Sequence, residues 1–303
     1  MERREKILLA LFFLLLLLPP ALSLFTSPAY WIRVLTSVLM LTSVTLAQNI
    51  LLGYTGYPAF GAVAFFGTGG YATAVLMKDL SLPFWLSLPM GGLLSALLAV
   101  PVALSLMRLR SHYFAIATLA LQLALMELVS NLEFTGGAYG VNLPIYRGAL
   151  GTLLFYYLFW TLALGTFLLN VYIDRSPFGY ALKAVREDEV AAESAGVNTL
   201  LFKVLSFTLM AGITGTAGGV YAYWITYIDP ASMFDPVLSV KIFVALLMGG
   251  VGTTVGPVAG AFFLELISEI VWSSFLELHG VLLGLLIVLT VLFAPKGFLG
   301  VRR

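Results

Sequence analysis

The stretch Leu82-Pro-Phe-Trp-Leu-Ser-Leu-Pro-Met-Gly-Gly-Leu-Leu-Ser-Ala-Leu-Leu-Ala-Val-Pro-Val-Ala-Leu-Ser-Leu106 carries no charged residue and no histidine. A helix of that length, rising about 1.5 Å per residue, crosses the roughly 30 Å hydrocarbon core of a bilayer. Equivalent apolar runs occur at 7–25, 33–52, 57–77, 113–131, 149–173, 200–223, 237–251, 256–275 and 279–294. The chain is therefore expected to be an all-α polytopic membrane protein with about ten transmembrane helices. The run at 237–251 is short and merges into glycines, so nine spans with a re-entrant piece is the alternative. The run at 7–25 follows Arg3, Arg4 and Lys6 and has the flank of a signal peptide, but it exceeds a usual h-region, so it is read as a span.

Composition supports this reading and limits the function. Of 303 residues, 60% are hydrophobic and 10% charged, against about 25% charged in soluble domains. The mean hydropathy is +1.00. Ten spans of about 20 residues leave no room for a separate soluble domain, so 1–303 reads as a single transmembrane domain. A net charge of +1 provides no basic surface for nucleic acid. With no cysteine, disulfides, thiol chemistry and cysteine-bound metal are excluded.

The basic residues set the expected orientation. With ten spans and a cytoplasmic N-terminus, twelve of the sixteen Lys and Arg fall on the inner side; Arg33, Lys78, Arg147 and Lys241 are the exceptions. Both termini are then cytoplasmic, and the protein belongs in the cytoplasmic (inner) membrane.

Residues 174–199 break the apolar pattern most strongly, with Asp174, Arg175, Lys183, Arg186, Glu187, Asp188, Glu189 and Glu193. Ser176 followed by Pro177 is a helix start, and Gly196 followed by Asn198 a stop. Phe178, Ala181, Val185 and Ala192 share one helical face. A short amphipathic helix or helical pair on the cytoplasmic side follows, serving either as a solvated connection or as a docking element for a cytoplasmic partner.

Glycines concentrate in 53–70, 212–219 and 249–260, where they permit close helix packing; Gly249, Gly250, Gly252 and Gly256 are also candidates to line a pathway. Ionisable residues inside spans are functional candidates, here Glu127, Lys241 and Glu265. Glu127 and Lys241 lie near outer ends and can snorkel. Glu265 is deeper and is expected to face protein or a water-filled cavity.

No G-x-x-x-x-G-K-[ST] motif is present, so the chain has no P-loop of its own. Gly250-Val-Gly252-Thr-Thr-Val-Gly256 misses the dinucleotide spacing by one residue. His112 and His279 are far apart, which disfavours a metal site or a catalytic triad. Neither an enzyme nor a cofactor-binding protein is expected. A stand-alone secondary transporter or channel is the competing class.

The residues resemble the LivM type of ABC transporter permease, the membrane subunit of branched-chain amino acid importers. The resemblance covers nearly the whole chain from about Gly53. Its strongest piece is Ala184-Val-Arg-Glu-Asp-Glu-Val-Ala-Ala-Glu-Ser-Ala-Gly-Val-Asn198, similar to the family's loop that docks on the ATPase. Next come Leu109-Arg-Ser-His-Tyr-Phe-Ala-Ile-Ala-Thr-Leu119, Thr135-Gly-Gly-Ala-Tyr-Gly140, Gly249-Gly-Val-Gly252 and Gly256-Pro-Val-Ala-Gly260. Ala59 and Ala62 stand where the family commonly has serine and histidine, and Lys241 where it often has an acidic residue. The resemblance implies a LivH-like second permease, two cytoplasmic ATPase subunits and an extracytoplasmic substrate-binding protein. It makes Arg186, Glu187, Asp188, Glu189, Glu193 and Gly196 the expected ATPase-coupling residues, and it adds Gly136 and Gly137 to the pathway or gating candidates. Branched-chain amino acids are the expected substrates, with urea or short amides as the alternative.

Overall fold

Prolines and glycines mark where the apolar runs become helices. The computed structural model describes residues 28–274 apart from 147 and 149, with isolated positions 7, 11, 284 and 297. The runs at 7–25 and 279–294, His279, Arg147 and the basic residues at both termini lie outside the described residues.

Each remaining run carries a helix. In chain order these are α1 (Pro28–Gln48), α2 (Val63–Lys78), α3 (Phe84–Leu106), α4 (Ser111–Asn131), α5 (Leu153–Arg175), α6 (Pro177–Glu187), α7 (Glu189–Ser194), α8 (Thr199–Ile225), α9 (Pro230–Met233), α10 (Pro236–Gly249) and α11 (Gly256–Ser274). Six segments among the described residues are long and apolar enough to cross a membrane: Ala29–Gly53, Phe84–Leu106, Ser111–Asn131, Leu153–Arg175, Thr199–Ile225 and Pro230–Gly249. A π-helical turn, Asn49–Gly53, extends α1.

Two expected boundaries move. The run at 57–77 becomes helical only at Val63, because Gly56 takes φ +78° and Pro58 has no N–H to give a ladder. The run at 237–251 becomes a helix of 14 residues, about 21 Å long. The one-turn helix α9 precedes it, capped by Asp229, whose carboxylate accepts from the Ser232 N–H at 3.0 Å.

The chain forms two compact units. One comprises Met1–Asn49, Leu150–Tyr172 and Lys241–Arg303, the other Ile50–Ala149 and Ile173–Val240. In the second unit α2, α3 and α8 pack on one another. Glycines set their separation: a Cβ on Gly69 would strike the backbone of Gly215, and one on Gly218 would strike the Phe66 carbonyl. Small residues let backbones approach closely in this way, as the glycine pattern predicts. Ser95 Oγ donates to the Phe65 carbonyl at 3.2 Å, closing the α2–α3 seam. A two-residue antiparallel pair, Val141–Asn142 (β1) with Tyr227–Ile228 (β2), joins the segment after α4 to that after α8.

In the first unit α11 packs along α1. Tyr30 Oη donates to Glu269 at 2.8 Å. Asn49, fully buried, donates to Asn170 Oδ1 and to the Thr253 carbonyl, both at 3.0 Å. It accepts from the Gly252 N–H at 2.9 Å.

Candidate functional site

The segment between α5 and α8 folds as the helical pair that its caps specify. Ser176 Oγ accepts from the Gly179 N–H at 3.1 Å, and Pro177 occupies the first helical position of α6. Asp188 interrupts the helix in extended backbone and caps α7, accepting from Val190 N at 2.9 Å and Ala191 N at 3.0 Å. Gly196 then takes φ +87°, with Gly196 N–H on the Glu193 carbonyl and Val197 N–H on the Ala192 carbonyl. No atom lies within 4 Å of a Cβ placed on Gly196, so its backbone angle alone calls for glycine. Asn198 accepts from Leu201 N at 3.1 Å and starts α8.

The pair has two faces. Leu182, Val185 and Ala192 are buried, and Phe178 packs on Phe202 with ring centroids 5.7 Å apart. Leu182 joins the expected apolar face, of which Ala181 is only half-buried. Tyr180 and Val190 are the large apolar residues that turn outward, 62% and 73% exposed. Glu187 and Asp188 are exposed beside them.

Several charged residues turn back onto their own chain. Arg186 Nη1 donates to the Gly53 carbonyl at 2.5 Å. Its Cγ would lie 3.3 Å from a Cβ on Gly56. Lys183 donates to Asp174 Oδ1 at 2.7 Å and sits over the Tyr54 and Tyr180 rings. Glu193 Oε1 accepts from Thr199 Oγ1 at 2.5 Å.

Glu189 is bound most extensively. It forms an ion pair with Lys203, and its Oε2 accepts from Tyr57 Oη at 2.9 Å. The Lys203 ammonium, on a side chain 5% exposed, also donates to the Met107 carbonyl at 3.0 Å and to Tyr57 Oη at 3.4 Å. It lies 4.9 Å from the Tyr57 ring centroid. Partial burial pushes the Glu189 carboxyl up, but the hydrogen bonds from Lys203, Tyr57 and Thr199 and the charge of Lys203 outweigh it. The group therefore lies below the usual carboxyl value. A cleft lined by Tyr57, Arg108, Arg110, Glu189, Thr199 and Lys203 opens beside this cluster.

The other candidates lie elsewhere in the fold. Lys241 and Glu265 form an ion pair at 2.5 Å between α10 and α11, their side chains 19% and 11% exposed. Glu265 thus faces a cation from the neighbouring helix. Glu127 is exposed on α4 and accepts from Asn131 at 3.0 Å. Gly136 and Gly137 form consecutive tight turns at φ +77° and +57°. Gly249 packs against the Gly256 carbonyl, and Gly250 and Gly252 take φ +119° and +79°.

Sequence reasoning used Lys203 only as a charge that fixes orientation. The signal was there: an ionisable residue within the apolar run 200–223 is a candidate by default. Tyr180 and Val190 lie off the apolar face read from periodicity, but residue type alone does not separate them from Phe178, Leu182 and Val185. Tyr57 and Met107 are distant in sequence and carried no local signal, and the glycine pattern at Gly53 gave no sign of its contact with Arg186.

Residues 30–291 match the family profile described as "Branched-chain amino acid transport system / permease component". The chain belongs to this family. A "High-affinity branched-chain amino acid transport system permease protein LivM" of Salmonella typhimurium is 29% identical over 288 residues, 85% of this chain and 67% of that protein. A "Probable branched-chain amino acid transport permease protein LivM" of Methanocaldococcus jannaschii is 24% identical, covering 84% of this chain and 89% of its own. A "Probable branched-chain amino acid transport permease protein LivH" of the same organism is 27% identical, covering 85% and 88%. No solved structure matches. A multi-pass membrane permease similar to both LivM and LivH is thus the class of molecule to which the α6–α7 pair belongs.

Proposed function

We propose that this chain is one permease subunit of an ABC importer that moves leucine, isoleucine and valine across the cytoplasmic membrane. It pairs with a LivH-like permease, receives substrate from an extracytoplasmic binding protein, and is driven by two separate cytoplasmic ATPase subunits. The whole chain acts as a single transmembrane domain of about ten spans with both termini inside, which puts the α6–α7 pair in the cytoplasm. The 12-to-4 division of basic residues supports this orientation.

The observation that carries the reading is the α6–α7 pair itself. Tyr180 and Val190 stand exposed, as do Glu187 and Asp188 in the same segment, while Leu182, Val185 and Ala192 are buried. An exposed aromatic and an exposed branched aliphatic residue in a charged segment suit a groove on a protein partner. ATP-driven closure of the ATPase dimer would move this segment and shift the permease between outward-facing and inward-facing states. Glu127, Gly136, Gly137, Lys241, Gly249, Gly250, Gly252 and Glu265 are the proposed pathway and gating residues.

Co-purification with the ATPase pair, followed by leucine uptake in proteoliposomes, tests the proposal. Wild-type chain should carry the ATPases, and Val190→Asp should lose them while still inserting. Glu187→Ala with Glu189→Ala should reduce uptake with insertion intact. Leucine uptake by the purified chain without ATPases would overturn the reading in favour of a secondary carrier. Calorimetry of the cognate binding protein with leucine, valine and urea assigns the substrate class.

A further inference from the structure

The docking pair is joined to the span that follows it through 195–198, a connection containing the left-handed Gly196 with open space around it. Glu193 and Thr199 tie α7 across that connection, but only to the first residue of α8. Lys203 bypasses it. From the second turn of α8, its ammonium reaches Glu189 on α7, the Met107 carbonyl at the end of α3, and the hydroxyl of Tyr57 in the segment leading into α2. All three donors of the ammonium have acceptors, and Tyr57 closes the ring by donating to Glu189 at 2.9 Å. These ends belong to α3 and α8, and Tyr57 to the approach to α2; α2 and α8 meet backbone to backbone at Gly69, Gly215 and Gly218, and Ser95 of α3 packs against Gly215.

We propose that Lys203 is the positioning residue that transmits motion of the docking helix to the spans, with Glu189 as its inward partner and not an ATPase contact. Tyr180, Glu187 and Val190 then form the docking face, and Glu189, Lys203 and Tyr57 form the transmission beneath it. Charge-assisted bonds in a mostly buried setting are short and directional, so they carry displacement with little slack. An ordinary structural tie between two elements would not need a single group to hold the ends of α3 and α8 and the approach to α2 as well. The inference rests on the docking role proposed above and adds a separate, inward function for part of the same segment.

The experiment is a coupling measurement on the complete reconstituted complex: permease pair, two ATPases and binding protein. Leucine uptake and substrate-stimulated ATP hydrolysis are read on the same proteoliposomes. Lys203→Met should leave the ATPases bound and hydrolysis within about twofold of wild type, while leucine moved per ATP falls at least tenfold. Tyr57→Phe, which removes one hydroxyl, should lower that ratio about threefold, and Glu189→Gln should fall between the two. If Lys203→Met does not assemble, Tyr57→Phe and Glu189→Gln decide the matter by the same ratio. An unchanged ratio in assembled variants overturns the transmission role. So does a loss of ATPase binding in Glu189→Gln as complete as in Val190→Asp, which would make Glu189 a docking contact. Failure of the wild-type chain to bind ATPases at all would instead overturn the docking proposal.

Discussion

Lys203 and Glu189 share an ion pair but not an environment: their side chains are 5% and 36% exposed. Removing one partner of a pair is costly in proportion to how far the remaining charge is kept from water. Glu189→Leu would leave the ammonium buried with only the Met107 carbonyl and the Tyr57 hydroxyl, a loss of about 3 kcal/mol. Lys203→Met frees a carboxylate that turns to solvent, and should cost about half as much. Thermal unfolding midpoints of the two purified variants should therefore rank Glu189→Leu below Lys203→Met. The pair also has a pH signature. Because the folded Glu189 carboxyl lies below its ordinary value of about 4.5, its contribution is complete above that value. It is lost as pH falls through the lower, folded value. Midpoints measured from pH 7 down to 3 should hold to about 4.5 and then drop, and Glu189→Gln should remove that part of the drop.

Between elements, the Lys241–Glu265 pair braces α10 against α11 where the glycine seam brings them together. A Cβ on Gly260 would strike the Ala245 carbonyl, so backbone contact sets the spacing and the ion pair fixes the register. With side chains 19% and 11% exposed, neither charge is well hydrated. Glu265→Leu should destabilise by about 3 kcal/mol, since Lys241 loses its counter-charge in an apolar setting. Lys241→Met with Glu265→Leu should recover most of that loss, a coupling visible in a double-mutant cycle on detergent-solubilised protein. If the pair also serves the transport pathway, the double variant will be stable yet slow in uptake. In the other unit, Gly69→Val drives a branched side chain into the Gly215 backbone and should cost about 1–3 kcal/mol or abolish membrane expression.

For the whole molecule the orientation is directly measurable, because the chain has no cysteine to remove. Single cysteines at Glu187 and at Tyr139, the latter 91% exposed in the turn after α4, should react from opposite sides with a membrane-impermeant maleimide. Glu187→Cys should label only in inverted vesicles and Tyr139→Cys only in intact cells. Labelling of both from one side would overturn the span count between them. Transport should likewise require every subunit of the importer, with uptake absent when either the ATPases or the binding protein is omitted.

The membrane class, the existence of a helix in each described apolar run and the exceptional segment 174–199 were legible in the sequence. They depend on composition, on the length of apolar runs and on caps such as Ser176, which act within a few residues; the caps at Asp188 and, for the following helix, Asn198 appeared only in the structure. Close packing at Gly69 and Gly218 was foreshadowed by residue size alone. What the tertiary structure decided is which charged side chains face a neighbour from a distant part of the chain. Glu189 meets Tyr57 across 132 positions, Arg186 meets Gly53 across 133, and Lys203 meets Met107 across 96. Helical periodicity fixes which residues share a face, but the direction of that face depends on where other helices lie. Thus a segment that reads as one charged surface divides, in the fold, into an outward exposed face and an inward polar anchor.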